Sequence, residues 1–279
     1  MSLPDRMIEP LVRAALLEDL GGVGDITSNA LVTEDRLWKA ALVARQAGTV
    51  AGMDLARLAF QIMDQDACFE SVLQDGACVE SGDVLARVSG KARALLAAER
   101  TALNFLSHLS GIASLTARFV EAVKPYKARI SCTRKTTPTL RALEKYAVRM
   151  GGGSNHRSGL YDAVLIKDNH IALMGDIHAA AQSARQAVGP SVKVEVEVDM
   201  LDQLRLLLEA PIDAVLLDNM TPVELAQAVA LVAGRFEVEA SGGVSLDNVN
   251  AIAACGVDVI SIGRITHSAP ILDIGLDAA

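Results

Sequence analysis

The second half of the chain repeats one unit, in which an apolar strand ends in polar residues and a helical stretch follows. From Val192 onward the strands VKVEVEVD, DAVLLDN, FEVEASGG and DVISIGR recur about every 22 residues. Two earlier segments, YDAVLIKDN (161–169) and ARISCTRKT (128–136), fit the same unit. Near-continuous Val, Ile and Leu runs are typical of parallel strands that helices cover on both faces. The pattern predicts an α/β fold and favours a parallel β/α barrel over an open sheet.

The first part of the chain has a different pattern. A helical stretch, IEPLVRAALLEDL, precedes short alternating strands at 40–52 and 75–90, which predicts an α+β module. Residues 91–123 have helical periodicity, and the pair Ser110–Gly111 predicts a break in that helix. We therefore place a domain boundary near residue 110, with an N-terminal α+β domain over 1–110 and a barrel domain over 111–279.

Composition excludes several classes of protein. Aromatic residues make up 3% of the chain and the pI is 5.2, which argues against a nucleic-acid-binding surface. The N-terminal MSLPDRMIEP has charge and proline where a signal peptide has an apolar run, and no apolar stretch approaches the roughly 18–20 residues of a membrane span. We expect a cytoplasmic protein without membrane or nucleic-acid partners. The cysteines have neither zinc-ligand nor disulfide spacing, which predicts buried free thiols at Cys68, Cys78, Cys132 and Cys255.

Positive charge is concentrated in one region of an acidic chain. The formal net charge is −8, yet residues 129–170 contain eight Lys or Arg against three Asp or Glu. A local excess of cations in an otherwise acidic protein predicts an anionic ligand.

In β/α barrels the functional side chains collect where strands end and loops begin. The predicted strand ends supply Arg134, Lys135, Lys167, Glu197, Asp218, Ser241, Gly242, Gly243, Gly263, Arg264 and His267. The arginines, with His156 and Arg157 nearby in sequence, suit a small polyanion, and paired carboxylates suit Mg²⁺. The stretch ASGGVS leads a strand into a predicted helix start, a suitable cradle for phosphate.

Other charged residues receive a simpler interpretation. Arg141, Lys145 and Arg149 are spaced at helical intervals, which predicts a solvated helix face. His108, His170 and His178 do not lie at predicted strand ends, and we expect them to be structural.

These stretches closely resemble the quinolinate phosphoribosyltransferase family of type II phosphoribosyltransferases. The similarity runs nearly end to end, through EDLGGVGDITS, ERTALNFLSHLSGIA, the long run from Thr133 to Ile171, EVEVD, DAVLLDNM, EASGGVSLDNV and DVISIGRITHSAP. The resemblance implies an incomplete, roughly seven-stranded β/α barrel. It also implies an N-terminal α+β sandwich on which the last residues pack, and a head-to-tail homodimer with the active site at its interface.

The resemblance also implies a reaction and roles for named residues. Quinolinate and phosphoribosyl pyrophosphate, with Mg²⁺, would give nicotinate mononucleotide, pyrophosphate and CO₂ for NAD synthesis. Catalytic roles fall to Lys135, Lys167, Glu197 and Asp218, with the last two on the metal. The implied ligands of the quinolinate carboxylates are Arg134, His156, Arg157 and Lys167, with Arg100 reaching in from the partner subunit. Those of the 5′-phosphate are Ser241, Gly242, Gly243, Gly263 and His267.

Two departures leave other functions open. Cys132 stands where an Asp commonly precedes TRKT, and Thr139 stands where Gly is often found. They leave room for a divergent relative that acts on another base, such as the pyrophosphorylase-like proteins encoded with molybdate transporters. A Schiff-base aldolase that uses Lys167 and a non-catalytic phosphate-binding module are the further alternatives. Arg134, His156 and Arg157 favour the quinolinate assignment.

Overall fold

The computed structural model describes residues 3–279, which form two compact units, one of residues 3–115, 149–152 and 269–279 and the other of residues 116–148 and 153–268. No helix of the described residues is long and apolar enough to cross a membrane. The elements in chain order are α1 Asp5–Leu20, α2 Ile26–Leu31, β1 Leu37–Ala44, β2 Gly48–Thr49, α3 Met53–Met63, β3 Cys68–Ser71, β4 Cys78–Val79, β5 Val84–Lys91, α4 Ala92–Val123, β6 Arg129–Ser131, α5 Arg141–Met150, β7 Val164–Ile166, α6 Asp168–Met174, α7 Ile177–Ala187, β8 Val194–Val198, α8 Leu201–Leu207, β9 Ala214–Asp218, α9 Pro222–Val232, β10 Glu237–Ser241, α10 Val249–Ala254, β11 Val259–Ser261, α11 Arg264–His267 and β12 Ile274–Ala278.

The first unit is built on an antiparallel sheet with the strand order β12-β1-β5-β3. The last strand of the chain, β12, pairs with β1 in the register Ala40↔Ala278 to Ala44↔Ile274. Helices α1 and α3 contact each other and bury apolar faces that include Ile8, Val12 and Leu55. The α+β character predicted from the alternating strands is confirmed.

Helix α4 continues through Ser110 and Gly111, so the break predicted there is wrong. Both positions are sites of close packing within the first unit. Ser110 Oγ accepts a 3.0 Å hydrogen bond from the Ala51 N–H and donates to the Ala51 carbonyl at 3.2 Å. A Cβ at Gly111 would lie 2.1 Å from the Pro270 carbonyl oxygen. Small residues are therefore needed for the close approach of neighbouring backbone, and they do not end the helix.

The second unit contains six parallel strands in the order β6-β11-β10-β9-β8-β7. The strands and helices alternate along the chain, as the repeated sequence unit predicts, and the fold is an incomplete β/α barrel. About seven strands were expected. In place of a seventh, Ser154 forms a single parallel bridge to Ser131 at the free edge of β6. The segment then turns away, because the N–H groups of Ser158 and Gly159 donate to the Asp162 carboxylate.

The strands of this sheet place alternate residues on opposite faces. In β8, Val194, Val196 and Val198 lie on one face and are buried, while Glu195 and Glu197 lie on the other. Burial of each such apolar side chain contributes roughly 1.5–3 kcal/mol. The register Asp218↔Ser241↔Ser261 brings the carboxyl ends of β9, β10 and β11 level with one another. Side chains from several strand ends therefore share one end of the sheet.

The helices of the second unit begin at clear sequence signals. Helix α9 starts with a capping box, in which Thr221 Oγ1 accepts from the Glu224 N–H and the Glu224 carboxylate accepts from the Thr221 N–H, and Pro222 occupies the first turn. Helix α7 begins at Ile177, directly after the N-cap residue Asp176, whose carboxylate accepts from the Ala179 N–H. These caps fix where each helix starts after its strand.

All four cysteines are free, as predicted, but they are not all buried. Cys132 is buried and Cys255 is half-buried, whereas Cys68 and Cys78 are exposed. The expectation of buried thiols is therefore wrong for the last two, which lie on the short strands β3 and β4.

Candidate active site

A cavity of about 370 Å³ opens at the carboxyl end of the parallel strands. It brings together six of the eleven residues predicted at strand ends, although they come from five separate segments of the chain. The lining residues are Thr133, Arg134, Lys135, His156, Arg157, Leu165, Lys167, Glu197, Leu216, Asp218, Glu239, Ser241 and Ser261.

A second cavity of about 370 Å³ adjoins the first and shares four lining residues with it, namely Thr133, Lys135, Ser241 and Ser261. The predicted phosphate ligands Gly242, Gly243, Gly263 and His267 line this second space. The predicted site residues of the second unit therefore separate into two adjoining compartments. Lys135 and Ser241 lie where the two compartments meet.

Two guanidinium groups face the first cavity. Arg134 Nε is buried and, among the described residues, makes no hydrogen bond. Arg157 donates from one terminal nitrogen to the Ala163 carbonyl at 3.3 Å. Burial, and next the nearby Arg134, lower the pKa of Arg157. Two cations held close together are stabilised by an anion placed between them.

Lys167 and the two predicted metal ligands complete the rim of the first cavity. The Lys167 ammonium forms an ion pair with Glu197. His170 Nδ1 accepts from the Lys167 N–H at 2.9 Å, a structural role of the kind we expected for this histidine. Asp218 accepts a 2.7 Å bond from the Asn219 side-chain amide. We call Arg134, Arg157, Lys167, Glu197 and Asp218 the mouth layer.

A second group of side chains lies one step deeper, and of its members only His156 is predicted from the sequence. Glu195 precedes Glu197 by two residues on β8, and Glu239 precedes Ser241 by two residues on β10. Both carboxyl groups are buried, His156 Nε2 lies 2.9 Å from Glu195 Oε2, and Ser261 donates to Glu239. We call His156, Glu195, Glu239 and Ser261 the floor layer. The sequence signal for Glu195 and Glu239 was the pair of glutamates, two residues apart and so on one face, in each of the strands VEVEV and EVEAS.

Both ring nitrogens of His156 are engaged within the protein. Nε2 faces Glu195, and Nδ1 accepts from the Arg157 N–H at 2.8 Å. His156 therefore lines the cavity where the resemblance placed it, but its hydrogen bonds connect Arg157 to the buried Glu195.

Helix α5 supports the loops that carry the cations, which corrects the prediction of a solvated face. Lys145 is buried and donates to the His156 carbonyl at 2.8 Å and to Cys132 Sγ at 3.1 Å. The half-buried Arg141 donates to Thr136 Oγ1 at 3.0 Å and to the Ser158 carbonyl at 3.2 Å. Arg149 is exposed. A helical spacing of charges does not distinguish a solvated face from one that holds loop carbonyls.

The loop that carries Arg134 and Lys135 contains an unusual backbone conformation. Thr139 has φ 69°, in the left-handed region that a β-branched residue rarely adopts. This conformation gives a physical reason for the Gly that often stands at this position in the resembling family. The departure at Thr139 is therefore a matter of backbone strain, outside the residues that line either cavity.

The glycine turn after β10 is required by space as well as by conformation. Gly242 has φ 94°, and a Cβ there would lie 2.2 Å from Asn219 Oδ1 and 2.7 Å from Asn219 N. The expectation that this turn leads directly into a helix is wrong, because α10 begins only at Val249. The intervening turn is held by Asn248, which accepts from the Ser245 N–H and donates to the Gly243 carbonyl.

Arg100 lies in the other unit. It is exposed on helix α4, within the part of that helix that belongs to the first unit.

Comparisons with known proteins agree on one family. Residues 25–110 match the family model for the quinolinate phosphoribosyl transferase N-terminal domain, and residues 112–277 match the model for its C-terminal domain. The chain is 44% identical to the nicotinate-nucleotide pyrophosphorylase [carboxylating] of Mycobacterium leprae, over 95% of each chain. It is 42% identical to a probable protein of the same name from Bacillus subtilis, over 97% of this chain and 93% of the relative. The crystal structure of NadC from Streptococcus pyogenes is 40% identical and superposes with a TM-score of 0.95, over 100% of this chain and 99% of that one.

Proposed function

The chain belongs to the quinolinate phosphoribosyl transferase family, and from that premise we propose that it converts quinolinate and phosphoribosyl pyrophosphate to nicotinate mononucleotide, pyrophosphate and CO₂. This is a pentosyl transfer that supplies NAD synthesis. The observation that carries the proposal is the cavity in which Arg134, Arg157 and Lys167 meet. Quinolinate is a dianion, and a cationic cavity in a protein of net charge −8 suits it.

The two cavities divide the substrates between them. Arg134, Arg157 and Lys167 bind the two carboxylates of quinolinate, and His156 closes the deep side of the same cavity. Lys135, at the junction of the cavities, faces the pyrophosphoryl and ribose groups. The 5′-phosphate occupies the second cavity, against Ser241, Gly242, Gly243, Gly263 and His267. Supporting this division, the two cavities adjoin and share Lys135 and Ser241.

Glu197 and Asp218 are the proposed ligands of Mg²⁺. Carboxylate oxygens are the donors that Mg²⁺ prefers, and it typically takes one or two of them together with substrate phosphates. Both side chains line the first cavity, so the donor set fits the ion. When bound, the ion would offset the negative charge of the departing pyrophosphate.

The chemistry needs positioning and charge more than a protein nucleophile. The pyridine nitrogen forms a bond to the ribose anomeric carbon while the carbon–oxygen bond to pyrophosphate breaks. The ring nitrogen is then cationic, so it stabilises the electron pair left at C2 when the adjacent carboxylate departs as CO₂. A proton then adds to C2, and Lys167, whose ammonium lies in the cavity, is its proposed donor.

The first test is an assay of the purified protein with quinolinate, phosphoribosyl pyrophosphate and Mg²⁺, in which CO₂ and nicotinate mononucleotide are followed together. A parallel reaction contains nicotinate instead. We expect both products from quinolinate only, and loss of both in Arg134→Ala. Lys124→Ala, at an exposed position in the turn directly after α4, is the matched control and should keep full activity.

Folded protein that leaves quinolinate unchanged would contradict the proposal. Turnover of another base with phosphoribosyl pyrophosphate would then indicate a divergent pyrophosphorylase, and binding without turnover a phosphate-binding module. Borohydride trapping of a carbonyl substrate on Lys167 would indicate an aldolase. The ion pair of Lys167 with Glu197 disfavours that last outcome, because a Schiff base requires the free amine.

We also propose a homodimer in which Arg100 of the partner subunit reaches the quinolinate site. Supporting this, each unit exposes large apolar side chains, among them Leu31 at 79% and Leu173 at 87%. The test mixes two inactive variants, Arg100→Ala and Lys167→Ala, under conditions that exchange subunits. Recovery of about a quarter of wild-type activity is expected, because half of the dimers are mixed and each has one intact site. No recovery of activity despite demonstrated subunit exchange would contradict the shared site.

A cytoplasmic location stays a prediction from the N-terminal sequence.

A further inference from the structure

The floor layer places two carboxyl groups and one imidazole close together and away from solvent. Glu195 and Glu239 are only 2% and 1% exposed. His156 Nε2 lies 2.9 Å from Glu195 Oε2 and 3.6 Å from Glu239 Oε1. One nitrogen and two oxygen donors within 4.8 Å of one another could in principle hold a metal ion. The hydrogen bonds of His156 show whether this cluster suits a metal ion or a proton.

The hydrogen bonds of His156 indicate that its Nε2 carries a proton and does not bind a metal ion. Because the Arg157 N–H donates to Nδ1 of His156, Nδ1 presents a lone pair and carries no proton. The ring proton is therefore on Nε2, which donates it to Glu195 and has no lone pair for a metal ion. Glu195 accepts this bond with Oε2, and its other oxygen, among the described residues, has no hydrogen-bond partner. Glu239, which accepts from Ser261, is the second carboxyl group of the pair.

The charges around Glu239 come from several elements. Burial first, and then the Glu195 carboxylate, raise the pKa of Glu239 to about 7, against the opposing effects of the Ser261 hydrogen bond and the Lys193 ammonium. Lys193 lies 2.6 Å from Glu237, on the same strand as Glu239. The charged groups of the cavity above are Arg134, Lys135, Arg157, Lys167, Glu197 and Asp218.

We propose that an anionic substrate enters the first cavity together with a proton, and that Glu239 takes up this proton. The inference rests on the proposed function, in which the anion is quinolinate. Before the substrate binds, the cations of the mouth layer favour the ionised form of Glu239. A bound dianion offsets those cations and adds negative charge above the floor, so it favours the neutral acid. By linkage, protonation of Glu239 must strengthen substrate binding to the same extent.

The test is titration calorimetry of the wild-type protein with quinolinate alone at pH 7.5, in HEPES and in Tris. These buffers differ in ionisation enthalpy, so the difference in binding heat measures proton uptake. Uptake of about half a proton is expected if binding raises the pKa of Glu239 from 7 to 8. Under the same assumption, wild-type affinity should fall roughly sixfold between pH 6.5 and 8.5. In Glu239→Gln, which keeps the size and hydrogen bonding of the neutral acid, quinolinate should bind without either effect.

Glu121→Gln is the matched control, because it makes the same change at an exposed position of α4, and it should behave as the wild type. Quinolinate binding without proton uptake would overturn the inference and leave the proposed function standing. Uptake that persists in Glu239→Gln would also overturn it, since another group would then bind the proton. Folded protein that gives no binding heat would instead overturn the proposed function, and the inference with it.

Discussion

The mouth layer and the floor layer share strand β8 and one of its faces, yet their surroundings make them different kinds of site. Glu197 is partly exposed and paired with Lys167, whereas Glu195, two residues earlier on β8, is buried against His156. An ion pair near solvent contributes little to the free energy of folding, and its charged groups are accessible to a ligand. A buried polar group that loses its hydrogen-bond partner lowers the stability of the fold, because water cannot replace that partner. The comparison indicates that one strand can supply binding at one position and stability at the next inward position.

The largest effect is expected from the mouth layer, in Lys167→Ala. The change removes a cation that we propose binds the quinolinate carboxylates, and it leaves Glu197 without its partner. We expect kcat/KM to fall about 100- to 1,000-fold, while the free energy of unfolding changes by less than about 1 kcal/mol. Steady-state kinetics and urea unfolding of the same preparation check both statements. Kinetics like those of the wild type would remove Lys167 from the site.

The floor layer should respond in the opposite way. Glu195→Ala leaves the His156 Nε2–H buried without its acceptor, so we expect the free energy of unfolding to fall by about 2 kcal/mol. Glu197→Ala, on the same face of β8, is the matched control and should lose activity with a stability change below about 1 kcal/mol. Urea unfolding of both variants makes the comparison. Equal losses of stability would contradict the division into two layers.

Glu239 should make the stability of the floor layer depend on pH. Its pKa of about 7 in the folded protein exceeds the ordinary value of 4.5, so its contribution is fully present below about pH 4.5 and is lost as the pH rises through 7. Glu239→Gln lacks this dependence. We expect its stability relative to the wild type to increase by about 2–3 kcal/mol between pH 4.5 and pH 8. Thermal or urea unfolding at the two pH values measures the difference, and a constant difference would contradict a buried, titrating Glu239.

The mouth layer could be read from the sequence much better than the floor layer. Parallel strands end at one edge of a sheet, so locating the strands by their apolar pattern also located Lys167, Glu197 and Asp218. Glu195 and Glu239 were missed because a strand of alternating Val and Glu was interpreted by its apolar residues alone. Whether a glutamate faces water or the inside of a sheet depends on the strands beside it, which a local pattern does not contain.

Helix α5 and the glycine turn illustrate a second limit. The burial of Lys145 depends on a cysteine 13 residues earlier and a carbonyl 11 residues later, so the helical period alone could not reveal it. The sequence predicts that ASGGVS leads directly into a helix, whereas Gly242 stands in a turn with φ 94°. The nearest atoms that require it, those of Asn219, belong to the neighbouring strand end. Tertiary contacts of this kind decide what a residue does once the local pattern has placed it.

The smallest expected effect concerns the loop that connects β6 to α5 and carries Arg134 and Lys135. Thr139 adopts φ 69° in this loop, and the left-handed conformation costs a residue with a side chain roughly 1–2 kcal/mol. Thr139→Gly removes that cost but increases the entropy that the chain loses on folding, so a net stabilisation of about 0.5–1 kcal/mol is expected. Thr137→Gly, in the same loop but without a positive φ, should instead destabilise by a similar amount. Urea unfolding of the two variants measures the opposite signs. A destabilised Thr139→Gly would mean that side-chain contacts of Thr139 outweigh the backbone strain, and the mouth layer would then depend on that threonine as well.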